Sequence, residues 1–229
     1  MLGRLFRKKD SELDHAAALK RMAGRGVEVQ TFIDVGAAKG AWSEKAMRLW
    51  PAAGAHLIEA KEDWRPELEA FQARHENVSF ETAGVSREPG TIYFPKAADP
   101  YGGAVFHDCA DRDDLDAIKA TSIDHEAARL QLKAPFAIKL DTHGTEVDIL
   151  DGAAKTLEQT AFLCIETYNL IGQKRFPELI IDLQERGFRC ADVVEPLFRK
   201  GDQLLWQIDF YFMRANHPAF GNFKYTPQA

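Results

Sequence analysis

Four side chains able to do proton chemistry fall close together in one run, Ile138-Lys-Leu-Asp-Thr-His-Gly-Thr-Glu146. His143 is the candidate general base, because an unperturbed imidazole titrates near neutrality. Asp141 can orient a hydroxyl or hold His143 in one tautomer, and Lys139 completes the candidate catalytic set. Plainer roles exist for each neighbour. Lys139 can pair with Asp141 or Glu166, Gly144 can permit a left-handed turn, and Glu146 can sit in a helix's first turn, where the dipole favours an acid.

A second run, Phe32-Ile-Asp-Val-Gly-Ala-Ala-Lys-Gly40, has the same form of apolar strand, carboxylate and glycine turn. Its glycines stand at G-x-x-x-G spacing. A dinucleotide fold wants G-x-G-x-x-G, whose middle glycine admits a pyrophosphate; that position here is Ala38. Glu59 ends the next strand, where nucleotide-binding α/β proteins place a carboxylate for ribose hydroxyls. Ala83 and Gly84, at the end of a third strand, leave room for a flat ring. A tight strand–helix turn and a strand-end surface acid are the alternatives.

Further polar residues converge on the same edge. Glu166, Tyr168 and Asn169 close a later strand, and Glu166 and Asn169 are candidate acceptor-binding groups. The loop Asp99-Pro-Tyr-Gly-Gly103 adds Tyr101, and His107 follows it, so a lid could carry both inward. Asp141, His143, Glu166 and His107 offer mixed oxygen and nitrogen ligands for a divalent ion. No spacing demands a metal, and none is assigned.

The elements that must position these groups alternate. Leu13, Ala16, Ala17, Leu19 and Met22 follow helical spacing. Thr31 to Ala37 reads as a strand opening into a helix from Lys39 to Leu49. His56 to Ala60 is a strand, Trp64, Leu68 and Phe71 mark a helix face, and Asn77 to Val85 is a third strand. Residues 86–122 interrupt the pattern with the strand-like Thr91 to Phe94 and an acidic stretch, an inserted hairpin or loop over the site. The pattern resumes with strand Phe136 to Leu140, a helix carrying Val147, Leu150, Ala154 and Leu157, and strand Phe162 to Thr167. A helix follows through Phe176, Leu179, Ile180 and Leu183, with Gly187 as its C-cap. Gln203 to Met213 closes the sheet. Strand–helix alternation of this kind implies parallel strands with helical crossovers.

The chain has 229 residues, enough for one domain with a sizeable core. A net charge of −6 argues against a nucleic-acid partner. Cys109, Cys164 and Cys190 form no Cys-x-x-Cys pair, which favours a reducing compartment. No apolar run approaches the roughly 20 residues that cross a bilayer. Residues 1–10 read as a basic tail, capable at most of weak contact with a membrane surface.

The first run resembles the cofactor loop of class I S-adenosylmethionine (SAM) methyltransferases, and the two together resemble the FkbM family of O-methyltransferases. That family carries Asp-x-Gly-Ala-Asn-x-Gly, an acidic second-strand end, Ala-Leu/Val-Gly, and Lys-x-Asp-x-x-Gly-x-Glu. The matching residues are Asp34, Gly36, Ala37 and Gly40, then Glu59, then Lys139, Asp141, Gly144 and Glu146. Ala38 departs from the family's Asn, and Ala83-Gly84-Val85 from its third-strand end. The resemblance implies a doubly wound, Rossmann-like α/β sheet, mostly parallel with an antiparallel closing strand. It implies SAM as cofactor, held by Asp34, Gly36, Ala37, Gly40, Glu59, Ala83 and Gly84. It also implies a cytoplasmic enzyme that methylates a hydroxyl of a sugar, glycoconjugate or natural product. An N- or carboxyl-methyltransferase, or a SAM-fold binder without turnover, stands as the alternative. The acceptor and the oligomeric state are not legible.

Overall fold

The computed structural model describes residues 12–96, 112–169 and 176–221. The chain begins α1 (His15–Gly24), β1 (Thr31–Val35), α2 (Ala41–Met47), β2 (Gly54–Glu59), α3 (Arg65–Gln72) and β3 (Val78–Thr82). Next come β4 (Gly84–Val85), β5 (Gly90–Pro95), β6 (Leu115–Thr121) and α4 (Ile123–Arg129). The rest is β7 (Phe136–Leu140), α5 (Glu146–Asp151), α6 (Ala154–Glu158), β8 (Thr160–Tyr168), α7 (Phe176–Glu185), β9 (Phe188–Phe198) and β10 (Leu205–Arg214).

Seven strands form one sheet in the order β3-β2-β1-β7-β8-β10-β9. The pairs from β3 to β8 are parallel, while β10 runs antiparallel to both β8 and β9. This is the mostly parallel doubly wound sheet with an antiparallel closing strand that the resemblance implies. The order reverses between β1 and β7. In an open α/β sheet that switch point opens a crevice at the strands' carboxyl ends, where ligands bind.

Both faces of the sheet are buried, which is why β1 and β7 read as continuous apolar runs. On one face Ile33, Val35, Ile138, Leu140, Leu163, Ile165, Phe210 and Phe212 pack with apolar residues of α4 to α7. The other face, under α1, α2 and α3, is apolar at Phe32, Ala137 and Phe162 but carries a polar row higher up. Register aligns Asp34 with Lys139, Lys139 with Cys164, and Cys164 with Tyr211; one step toward the crevice, Glu166 lies opposite Asp209. Helix α1 docks on this row. His15 Nε2 is 3.0 Å from Asp209 Oδ2, His15 Nδ1 is 3.0 Å from Tyr211 Oη, and Trp42 Nε1 donates to the same hydroxyl at 3.0 Å.

Three elements differ from the sequence reading. The helix expected through Val147 and Leu157 is two, α5 and α6, with Gly152 between them. A Cβ at Gly152 would stand 2.5 Å from the Ser86 carbonyl oxygen, so this corner passes against the chain leaving β4. The interrupted region contains β6 at the end of its acidic stretch, and α4 follows it in a segment left without an element. β4, β5 and β6 form a small separate sheet, with β5 and β6 an antiparallel pair. Edge strand β9 is the third. Its Arg189 and Glu195 break the apolar signature because they face solvent, and Asp192 because it pairs with Arg21 of α1.

Candidate functional site

The crevice at the switch point has two walls. Gly36, Ala38, Ile58, Glu59, Trp64 and Phe94 line one, and Asp141, Thr142, His143 and Thr145 line the other, with Ala83, Gly84 and Val85 at its end. The two runs singled out from sequence therefore meet at one cavity.

The loop after β1 is built for close approach. Gly36 has φ +72°, and a Cβ there would lie 2.0 Å from the Asp141 carbonyl oxygen. Gly40, φ +75°, precedes α2, and its Cβ would press on Leu57 and Phe71 at about 3 Å. Between them Ala38 takes φ +46°, a left-handed conformation that costs a side chain about 1–2 kcal/mol. Glu59 holds it there: Oε2 accepts from Ala38 N at 2.8 Å, and Oε1 from Lys61 N at 2.9 Å. Burial raises the Glu59 pKa against these two amides. Each carboxylate oxygen keeps a lone pair for a ligand hydroxyl.

Asp34, Ala37, Gly40 and Lys139 stand behind the crevice and do not line it. Asp34 is buried under α2 and accepts from Ser43 Oγ at 2.7 Å. Its other oxygen is 4.0 Å from Lys139 Nζ, and burial raises its pKa against that cation. Lys139 Nζ donates to Asp141 Oδ2 at 2.5 Å, so the pairing within the run is the one its sequence allows. Burial opposes the lysine's charge, but Asp141 and Asp34 outweigh it and hold the pKa above the usual lysine range. Lys139 is a fixed cation. Burial likewise works against Asp141, and Lys139 and Glu166 overcome it, so Asp141 stays ionised.

Glu166 has the opposite fate. Burial, hydrogen bonding with Asp141 and the nearby charges of Asp141 and Asp209 push its pKa well above the carboxylic range. It is a neutral acid at pH 7. Tyr168 Oη lies 2.9 Å from Glu166 Oε1 and 2.9 Å from His143 Nε2. Glu146 opens α5, where its Oε1 accepts from Gly144 N at 2.9 Å and from Thr142 Oγ1 at 3.2 Å; it builds the turn that presents His143.

Asn169 is exposed and tied to β10, its backbone N donating to Trp206 O at 2.9 Å. Gly84 lines the crevice, yet what its missing side chain admits is Ile92, whose Cδ1 would be 2.1 Å from a Cβ. Tyr101 and His107 lie outside the described residues. The sequence marks Trp64 as part of a helix face and Phe94 as a strand position, and gives neither them nor Thr145 a role in the site. Thr145 Oγ1 is buried without a hydrogen-bond partner.

Asp141, His143 and Glu166 bring one donor atom each within 4.8 Å of the others. One Asp141 oxygen already accepts from the Lys139 ammonium. A second such group, His15, Cys164 and Asp209, lies under α1.

No family model and no curated protein matches the chain. Among solved structures it overlays an rRNA methylase from Streptococcus thermophilus, with TM-score 0.49 and 12% identity over 86% of this chain and 94% of that one. It also overlays the N-methyltransferase NodS from Bradyrhizobium japonicum, with TM-score 0.47 and 11% identity over 87% and 93%. A precorrin-6y C5,15-methyltransferase from Geobacter metallireducens gives TM-score 0.46 and 11% identity over 91% and 94%. Likeness at this level does not reach substrate or chemistry, which rest on the site's own residues. Among the described residues no helix is long and apolar enough to cross a membrane.

Proposed function

We propose that this chain is a SAM-dependent O-methyltransferase of FkbM type, acting on a hydroxyl of a sugar, glycoconjugate or natural product. The observation that carries the reading is that Glu59, Asp141 and His143 line one crevice at the sheet's switch point. The cavity fits the cofactor. Ile58, Val85, Trp64 and Phe94 offer a flat apolar slot for a base, Glu59 accepts from ribose hydroxyls, and the Thr145 hydroxyl is unpartnered and at hand. Ala38 lines the slot without the side-chain hydrogen bond an Asn would add.

When bound, SAM supplies an activated methyl group on a sulfonium. The protein's part is alignment and proton removal, and alignment alone can lower such a barrier by about 7–11 kcal/mol. Gly36 and Asp141, in backbone contact, fix the distance between the two walls. Asp141, ionised by Lys139, orients the acceptor hydroxyl, and His143 takes its proton as the oxygen attacks. Asp34 and Lys139 act from behind by holding Asp141 charged and in place. The net charge of −6 disfavours a polyanionic acceptor. A single domain, a reducing cytoplasmic setting and proton transfer to His143 without a metal complete the reading.

Calorimetry with SAM, S-adenosylhomocysteine and NAD tests it first. SAM and S-adenosylhomocysteine should bind and NAD should not. Release of S-adenosylhomocysteine with hydroxyl, amine, carboxyl and RNA acceptors then separates O-transfer from its rivals. Binding without turnover on any class would leave a SAM-fold binder.

A further inference from the structure

His143 is gripped by one edge of its ring. Tyr168 Oη is 2.9 Å from Nε2, the two rings meet edge-on at 5.1 Å, and Glu166 Oε2 is 4.0 Å from the same nitrogen. Nδ1 is therefore the nitrogen left for the crevice that His143 lines. A phenol has one proton, so Tyr168 donates either to Glu166 or to His143. The first choice makes His143 the donor through Nε2 and leaves a lone pair on Nδ1. In the second, the ring proton sits on Nδ1 and the base is blocked.

The surroundings of Glu166 decide between them. Taken as a carboxylate, it leaves Oε2 buried with no donor. Taken as an acid, Glu166 can donate to Asp141, its neighbour in the cluster whose donor atoms lie within 4.8 Å of one another. A charged oxygen is a better acceptor than a phenol, so the acid proton goes to Asp141. Oε1 is then a carbonyl oxygen, able only to accept, and Tyr168 donates to it.

We infer that Tyr168 and Glu166 are positioning residues that hold His143 as its Nε2–H tautomer and present Nδ1 as the basic atom. The chain of donors is His143 Nε2–H to Tyr168, Tyr168 to Glu166 Oε1, and Glu166 Oε2–H to Asp141, which Lys139 anchors. When Nδ1 accepts a proton from a hydroxyl, the ring becomes a cation whose Nε2–H bond is already made, beside ionised Asp141. The inference deepens the methyl-transfer reading and rests on it for the role of the proton, but the tautomer itself does not.

Nitrogen-15 spectra of histidine-labelled protein without cofactor, near pH 8, test it. The His143 signals are assigned by difference against His143→Gln. Wild type should show an unprotonated Nδ1 and a protonated Nε2. Tyr168→Phe should give a mixture of tautomers. Glu166→Gln should keep the wild-type pattern, since its carbonyl accepts from Tyr168 and its amide donates to Asp141. A protonated Nδ1 in wild type, or a pattern unmoved by Tyr168→Phe, overturns the inference. So does a Glu166→Gln spectrum with the tautomer reversed, which stands as the test if the tyrosine variant does not fold. Once an acceptor is known, Tyr168→Phe should lower kcat about tenfold or more with SAM affinity unchanged. Absence of SAM binding with the tautomer as stated would remove the methyl-transfer reading and leave this one standing.

Discussion

Gly36 lies against the backbone of Asp141, so closely that a Cβ on the glycine would stand 2.0 Å from the aspartate's carbonyl oxygen. The Asp141 amide in turn donates to Val35 O at 2.9 Å. The loop after β1 and the turn after β7 are thus one backbone unit, and their spacing is set without any side chain between them.

Gly36→Ala should accordingly be severe. The left-handed φ and the clash with backbone together cost on the order of 3 kcal/mol. Thermal unfolding should show a large fall, and SAM binding should be lost even where the protein is still folded. Gly90→Ala, which meets nothing within 4 Å, is the control. Equal melting temperatures for the two variants would refute the contact.

Ala38→Gly should do the reverse. Relief of left-handed strain exceeds the entropy glycine adds, for a gain of about 0.5–1 kcal/mol. A modest rise in melting temperature is expected, and a fall would mean that the Ala38 methyl packs usefully in the slot.

Glu59 has a larger structural share than a strand-end acid promises. Because it accepts from the Ala38 and Lys61 amides, Glu59→Ala orphans two donors and should cost roughly 1.5–3 kcal/mol of stability. SAM affinity should fall by a similar amount. Glu59→Gln keeps one acceptor oxygen and should lie between. If calorimetry shows unchanged affinity in both variants, Glu59 supports the loop and does not touch the ribose.

The sheet was legible because β1, β2 and β7 are apolar runs ending in acids. Strands β9 and β6 were not: they present polar residues to solvent, and such strands lack the periodicity of buried ones. The site divided in the same way. Residue types at the strand ends announced Glu59, Asp141 and His143. Direction was hidden, because which way Asp34 turns depends on Ser43, nine positions along the chain, meeting it through the fold of α2. The raised pKa of Glu166 was hidden too, since it depends first on burial, then on Asp141 and on Asp209 opposite it in β10.

That neutral acid has a pH signature. The folded pKa of Glu166 is raised above its ordinary value near 4.5, so the folded state holds a proton the unfolded chain releases. Its stabilising contribution is complete below that value and is lost as pH rises toward the folded pKa. Asp141, lowered from 3.8, acts oppositely: its contribution is present above that value and is lost as pH falls below it. Glu166→Gln should remove the alkaline decline, so urea midpoints should favour the variant more at about pH 9 than at about pH 6. A constant difference across that range would mean that Glu166 ionises normally.

The last prediction concerns the reacting proton. On the proposed reading, in which His143 takes the acceptor's proton and Glu59 holds the ribose, His143→Ala should lower kcat about 10²–10⁴-fold while SAM affinity changes little. Asp141→Asn should also be severe, by a separate route: it leaves the Lys139 ammonium, buried beside Asp34, without its nearest partner. The variants therefore differ in stability, with Asp141→Asn melting lower and His143→Ala close to wild type. If Asp141→Asn abolishes turnover and His143→Ala does not, the base is the carboxylate or a metal-bound hydroxide. Chelation followed by Mg²⁺ or Mn²⁺ distinguishes those two, because only the metal route loses and regains activity. Near-normal turnover in both variants on the true acceptor would move the chemistry off the turn after β7 altogether.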